Sequence, residues 1–248
     1  MIVEFIGATG AGKTTLINDL RSRLEKTSRV TTSVDLATSL LGFKNVTNLT
    51  LQNLEQELIS LPFFIGTLSK YHEYLRHTIK LYWRNSGLSM QTIHNFRSLE
   101  RKIGMYEITK YFGDDQFLLV DEGPILALHM FVSAKNTCTL EEIVRFTDLL
   151  PLPDFVIYIR ASVDTLIERT VRRADPPREV DLKNPAQMDA YFKNAVALFD
   201  QLSQAENIRD RLLVVESHDI SGPGFDQVGD RVQQAIQARA TFLSSKPQ

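Results

Sequence analysis

One short stretch, Gly7-Ala8-Thr9-Gly10-Ala11-Gly12-Lys13-Thr14, constrains the fold more than anything else in the 248-residue chain. It fits the pattern G-x-x-x-x-G-K-[ST], which does its physical work only between a strand and a helix. Both neighbours are legible. Ile2-Val3-Glu4-Phe5-Ile6 is a β-branched and aromatic run ending at Gly7, and Leu16, Leu20 and Leu24 recur at four-residue spacing between Thr14 and Lys26. The glycines let successive backbone N–H groups curl around a phosphate chain, the helix N-terminus adds a partial positive charge, and Lys13 adds a full one. Thr14 can then ligate Mg²⁺. The expected phosphate-holding set is therefore Gly7, Ala8, Thr9, Gly10, Ala11, Gly12, Lys13, Thr14 and Thr15.

Four further apolar runs read as strands: Arg29 to Val34, Gln116 to Val120, Phe155 to Arg160 and Arg211 to Val215. They alternate with helical patterns, and parallel strands need such long crossovers, so the expected fold is α/β, a three-layer P-loop fold with a five-stranded parallel sheet. Roughly eighty residues, 36–115, separate the second and third strands. That is too long for one crossover. Helical spacing in Leu51-Leu54-Leu58, in Tyr71-Tyr74-Leu75-Ile79-Tyr82 and in Ile93-Phe96-Ile103-Tyr106 marks a helical insertion within a single domain, 1–248.

A loop of this kind needs an acid beside it, and Phe117-Leu118-Leu119-Val120-Asp121-Glu122 is an apolar strand ending in two. Neighbouring strand residues point to opposite faces, so only one of Asp121 and Glu122 serves as metal ligand or general base. Asp121 is the first choice, with Thr14, for the metal. The residues alone leave Glu122 open as the base. Ser162 to Arg173 reads as a helix capped by Ser162, with Arg169 and Arg173 sharing a face at its C-terminal end. The loop that follows, residues 174–185, reads as an arginine-bearing lid over a transferring phosphate, and another helix follows from about Pro185 to Gln204.

Composition narrows the partners. Lys and Arg number 28 against 30 Asp and Glu, a net charge of −2, so no global positive field exists to hold a nucleic acid. The longest uncharged stretch near the middle of the chain, Gly123 to Ala134, is too short for a membrane span. A lone cysteine, Cys138, and a start without a basic segment leading into an apolar one suggest a reducing, cytoplasmic setting. A homodimer is left open.

The order of these features resembles the thymidylate kinase and deoxynucleoside kinase branch of P-loop kinases. The likeness is carried by the loop, Asp121 after the third strand, the Arg169-x-x-x-Arg173 pattern and the Tyr191 to Gln204 helix. It implies ATP and Mg²⁺ as cofactors, in-line phosphoryl transfer to a small-molecule acceptor, catalytic duties for Lys13, Asp121, Glu122, Arg169 and Arg173, and an adenine pocket near Glu216-Ser217-His218-Asp219. In that family the acid aligned with Asp121 is commonly followed by an arginine that helps hold the acceptor, and here Glu122 stands in its place. Two other classes share the scaffold: a regulatory ATPase or switch, and a toxin-like or antibiotic-modifying kinase. The chain has no Asn-Lys-x-Asp tetrad of a GTP switch and no Leu-Ser-Gly-Gly signature.

Two features bear on the acceptor. Residues 70–110 hold eight Lys or Arg against three acids, with Arg76, Lys80 and Arg84 on one helical face and Arg97 and Arg101 on another. They read either as a solvated surface or as an anion-binding wall with Trp83 or a tyrosine for stacking. His129, in an apolar run after Asp121, reads as a core histidine with a satisfied ring.

Overall fold

The computed structural model describes residues 1–33, 35–36, 39, 49–86, 90–113, 116–121, 123–132, 138–150, 152–173, 182–220 and 224–245. Glu122 and residues 174–181 of the expected lid lie outside the described residues. The apolar first run forms β1 (Ile2–Ile6), buried along its whole length because parallel strands are covered on both faces. Helix α1 (Lys13–Leu24) follows, then β2 (Val30–Thr32), shorter than expected. The insertion contributes α2 (Leu49–Gly66), α3 (Leu68–Ser86) and α4 (Met90–Phe112). After β3 (Phe117–Val120) come a 3₁₀ segment (Leu126–Phe131) and α5 (Leu140–Asp148), and after β4 (Phe155–Arg160) come α6 (Val163–Val171) and α7 (Pro185–Leu202). The short α8 (Glu206–Arg209) leads to β5 (Leu212–Glu216), α9 (Ser217–Ile220) and α10 (Phe225–Ser244).

The five strands are all parallel in the order β2-β3-β1-β4-β5, with Glu4 beside Val120 on one flank and Val156 on the other. Because β1 lies between β3 and β4, chain direction across the sheet reverses there, and the loops beyond the strand ends open a crevice at that point. Helix α1 packs with α10. On the face that carries Ile2 and Glu4, α4 supplies Met105, Tyr106 and Ile108, which pack against Ile2, Leu118 and Val120. This is the three-layer P-loop architecture expected from the strand and helix pattern.

Helix boundaries follow their local signals. Ser162 caps α6 by accepting from the Thr165 N–H at 3.2 Å, and Asn184 caps α7 ahead of Pro185. Within the insertion, a Cβ on Gly104 would sit 2.3 Å from the Ser60 carbonyl oxygen, so glycine is what allows α4 to lie against α2. The periodicity locates these helices well and their inward faces less well. Tyr71, Tyr74, Tyr82, Ile103 and Tyr106 are buried as core, whereas Leu54 and Leu58 are 49% and 65% exposed. Among the described residues, no helix is long and apolar enough to cross a membrane.

Candidate active site

Residues 7–12 turn sharply between β1 and α1. Gly7 has φ 140°, and a Cβ there would meet the Ile159 carbonyl oxygen at 2.5 Å, so the loop can leave β1 alongside β4 only with glycine at that position. Gly12, at φ 107°, is the N-cap of α1 and offers no side chain to its first turn, so the N–H groups of that turn open toward the crevice. Lys13 folds back over the loop, its ammonium donating to the carbonyls of Gly7 (2.9 Å) and Ala8 (3.2 Å). The result is a glycine-shaped loop with a cation folded over it, lining a cavity.

Asp121 reaches this loop from the neighbouring strand. The Thr14 hydroxyl donates to its Oδ2 at 3.1 Å, which joins the first turn of α1 to the end of β3 across 107 residues. A hydroxyl and a carboxylate are hard oxygen donors, suited to Mg²⁺ bound by few protein ligands together with phosphate and water oxygens. Thr14 and Asp121 are thus the residues that fit such an ion. Among the described residues no three His, Cys, Asp or Glu side chains cluster to hold a metal.

The two arginines have different surroundings. The Arg169 guanidinium donates to the carbonyls of Gly10 (3.0 Å) and Ala11 (3.3 Å) and to Ser217 Oγ (2.7 Å), and Ser217 Oγ in turn donates to the Ala11 carbonyl (2.6 Å). Arg169 is thereby tied to the loop backbone while also lining the cavity over the loop. Arg173 is exposed and lines the same cavity, while Arg172 turns away to pair with Glu168 at 2.8 Å. Ser217, buried at the start of α9, falls within the segment expected to form the adenine side. Its contact joins segments 206 residues apart, which no local pattern announces.

The cavity over the loop measures about 670 Å³. Its floor is the loop with Asp121; Arg169, Arg173 and Ile220 form the side toward β5, and Ser98, Lys102, Leu126, His129 and Met130 the side toward β3. His129 proves to be both satisfied and at the site: its Nε2 lies 3.0 Å from the Tyr191 hydroxyl and its ring stacks on Phe199, yet it lines the cavity. The anion-binding wall sketched from the insertion is not built as proposed. Arg76, Lys80 and Arg84 line a separate groove with Trp83 against α5, where Arg84 pairs with Glu142, and Arg97 pairs with Glu57. Helical spacing placed these cations on common faces but could not say which way the faces turn.

Beneath the cavity lies a residue that is not among the expected site residues. Glu4 is fully buried in the centre of β1; its Oε1 accepts from the Leu126 N–H at 2.9 Å, and Oε2 has no hydrogen-bond partner among the described residues. Burial pushes its carboxyl up to about 8, with the Leu126 N–H and the charge of Lys102 acting the other way. The signal was present: an acid in the middle of a five-residue apolar strand.

No protein-family model and no curated protein sequence matches the chain. Among solved structures, the chain is similar to a deoxyadenosine kinase from M. mycoides with bound dATP, at 14% identity over 94% of this chain and 99% of that one, TM-score 0.45. The same enzyme with the products dCMP and a flexible dCDP gives 15% identity, the same coverage and a TM-score of 0.48. A shikimate kinase from Bacteroides thetaiotaomicron gives 10% identity over 96% of this chain and 98% of that one, TM-score 0.48.

Proposed function

We propose that the chain is an ATP-dependent kinase that transfers the γ-phosphoryl group of ATP to a small-molecule acceptor. The observation that carries this is the Thr14 to Asp121 hydrogen bond, which sets a hydroxyl and a carboxylate beside a glycine-built phosphate loop. Phosphoryl transfer asks a protein mainly for positioning and charge neutralisation. The N–H groups of residues 7–15 bind the phosphate chain, and Lys13 places its charge at the β- and γ-phosphates. Thr14 and Asp121 would hold Mg²⁺, which would supply further neutralisation of the phosphate charge. Asp121 orients the acceptor and takes up its proton, with Glu122 as the other candidate. Arg173 meets charge on the moving group, and Arg169 keeps the loop in shape through Gly10 and Ala11. ATP is preferred to GTP in this scheme because the guanine-reading tetrad is absent from the sequence. A cytoplasmic setting suits the single, buried Cys138.

ADP formation with a panel of nucleosides, nucleotides, sugars, sugar acids and aminoglycosides tests the proposal. At least one acceptor should raise ADP release well above the acceptor-free rate. Lys13→Ala should lower that rate about 10²–10³-fold, as for loss of one well-placed electrostatic stabiliser. No acceptor-dependent ADP release across the panel, or full activity of Lys13→Ala, would defeat it.

A further inference from the structure

The scheme above leaves out an acid buried inside the sheet. Glu4 lies in the middle of β1, three residues before Gly7, among the buried apolar residues Val3, Phe5 and Ile6. The strand gains nothing from it, since a buried carboxyl costs free energy that an apolar side chain does not. Its contacts lie on the segment that continues the chain from Asp121.

That segment lacks a cap of its own. The 3₁₀ segment of residues 126–131 brings Leu126, His129 and Met130 to the cavity, and the first N–H groups of such a turn have no partner within it. Ala127 and Leu128 donate back to the carbonyls of Pro124 and Ile125, Pro124 has no N–H, and Ile125, at the N-cap, offers no side-chain acceptor. The Leu126 N–H is left over. It donates to Glu4 Oε1 at 2.9 Å, with the Ile125 N–H facing the same carboxyl, so the cap comes from a residue 122 positions away. Gly123 closes the contact from the other side. A Cβ there would lie 2.3 Å from Glu4 Cδ and 2.5 and 2.6 Å from its two carboxyl oxygens. Gly123 does not adopt the left-handed backbone, so room for the carboxyl, not a dihedral angle, is what calls for glycine.

We propose that Glu4 is a positioning residue of the active site: by capping the 126–131 segment from the centre of β1, it fixes the wall made by Leu126, His129 and Met130, and the turn that leads to it from Asp121, relative to the phosphate loop. This rests on the kinase reading above. Burial of Ile125 and Leu128 holds the segment against the core, but apolar packing is non-directional, and the carboxyl supplies the directed contact that sets where the segment sits. The loop is braced separately, by Lys13, Arg169 and Ser217 through its own carbonyls. The effect of Glu4 therefore falls on turnover of the acceptor and not on nucleotide binding.

The test uses the full chain with Glu4→Leu, Glu4→Gln and Gly123→Ala. Initial rates are measured at saturating ATP with the panel compound that wild type uses fastest, ADP affinity in the presence of Mg²⁺ by calorimetry, and amide protection at residues 125–127 by hydrogen exchange. Glu4→Leu removes the acceptor for the Leu126 N–H, and kcat/KM for the phosphoryl acceptor is expected to fall about 10–100-fold, as for a displacement of about 1 Å at a reacting site, with ADP affinity within about twofold of wild type. Exchange at residues 125–127 should quicken by about tenfold or more. Glu4→Gln keeps an oxygen acceptor at the same reach and is expected to restore most of both losses. Gly123→Ala presses a methyl group onto the carboxyl and should reproduce the loss of turnover with Glu4 intact, which keeps the test open if the leucine variant does not fold. Wild-type turnover in Glu4→Leu or in Gly123→Ala overturns the inference, as does unchanged exchange in Glu4→Leu. A parallel loss of ADP affinity would mark a general loosening of the sheet, and a Glu4→Gln variant as impaired as Glu4→Leu would make the carboxyl a proton carrier and not a cap; either result also overturns it. If wild type releases no ADP with any acceptor of the panel, the kinase reading falls and takes this one with it; an active wild type with an unimpaired Glu4→Leu overturns this one alone.

Discussion

The phosphate loop and the helical insertion are built by opposite means. At the loop three polar side chains are committed to backbone: Lys13 to Gly7 and Ala8, Arg169 to Gly10 and Ala11, Ser217 to Ala11. In the insertion the charges pair side chain to side chain at half-exposed positions, as in Arg84 with Glu142 and Arg97 with Glu57. Contacts to backbone fix atoms within a fraction of an ångström, whereas exposed ion pairs are worth about 0–1 kcal/mol and are screened by salt. Precision is therefore concentrated where the proposed phosphate chemistry would require it, and the insertion is tolerant except at the residues that turn toward the cavity.

The largest effect that would sharpen this contrast is expected from Asp121→Asn. The variant keeps the shape of the Thr14 contact but removes the negative charge, and Mg²⁺-dependent turnover should fall about 10²–10³-fold with little change in Tm. Turnover equal to wild type would remove Asp121 from the metal site and transfer the role of base to Glu122.

Gly7→Ala comes next, because the added Cβ meets the Ile159 carbonyl at 2.5 Å in a backbone region that L-residues avoid. Strain of about 1–3 kcal/mol should appear as a lower Tm together with weaker ADP binding. An alanine variant with wild-type ADP affinity would show that the loop has slack and would break the contrast.

Glu4, where the two regions meet, gives a pH test. Its carboxyl rises from 4.5 in the unfolded chain to about 8 in the folded one, so between those values the folded state keeps a proton that the unfolded state has released. Stability should fall as pH rises through that window by up to roughly 1.4 kcal/mol per pH unit, about 2.5 kcal/mol between pH 5 and 7, and level off above 8. Glu4→Gln retains an acceptor for the Leu126 N–H and lacks the titration, so its denaturation midpoint should lose less over the same range. Parallel curves for the two proteins would mean that Glu4 does not carry the proton.

The smallest effect belongs to Arg84→Glu. The variant breaks an exposed pair with Glu142 in the groove beside Trp83, away from the phosphate-loop cavity, and KM for both substrates should stay within about twofold of wild type. A strongly raised acceptor KM would restore the insertion's outer face to the acceptor site.

The glycine pattern, the β-branched runs and the four-residue leucine spacing are local properties, since backbone dihedrals and side-chain periodicity depend on neighbours a few positions away. From them the phosphate loop, the α/β class, all five strands to within a few residues, and the pairing of Asp121 with the loop could be read directly. Which face of each insertion helix turns inward is set by docking against elements far along the chain. For this reason Leu54 and Leu58 emerge exposed, Arg76, Lys80 and Arg84 face another groove, and Lys102 alone of the eight reaches the cavity. Tertiary structure likewise decided that His129 meets Tyr191, that Ser217 braces Ala11, and that Glu4 is sealed beneath Leu126. Each of those contacts closes more than 60 residues of chain, and its energy depends on a burial that exists only once the layers have packed.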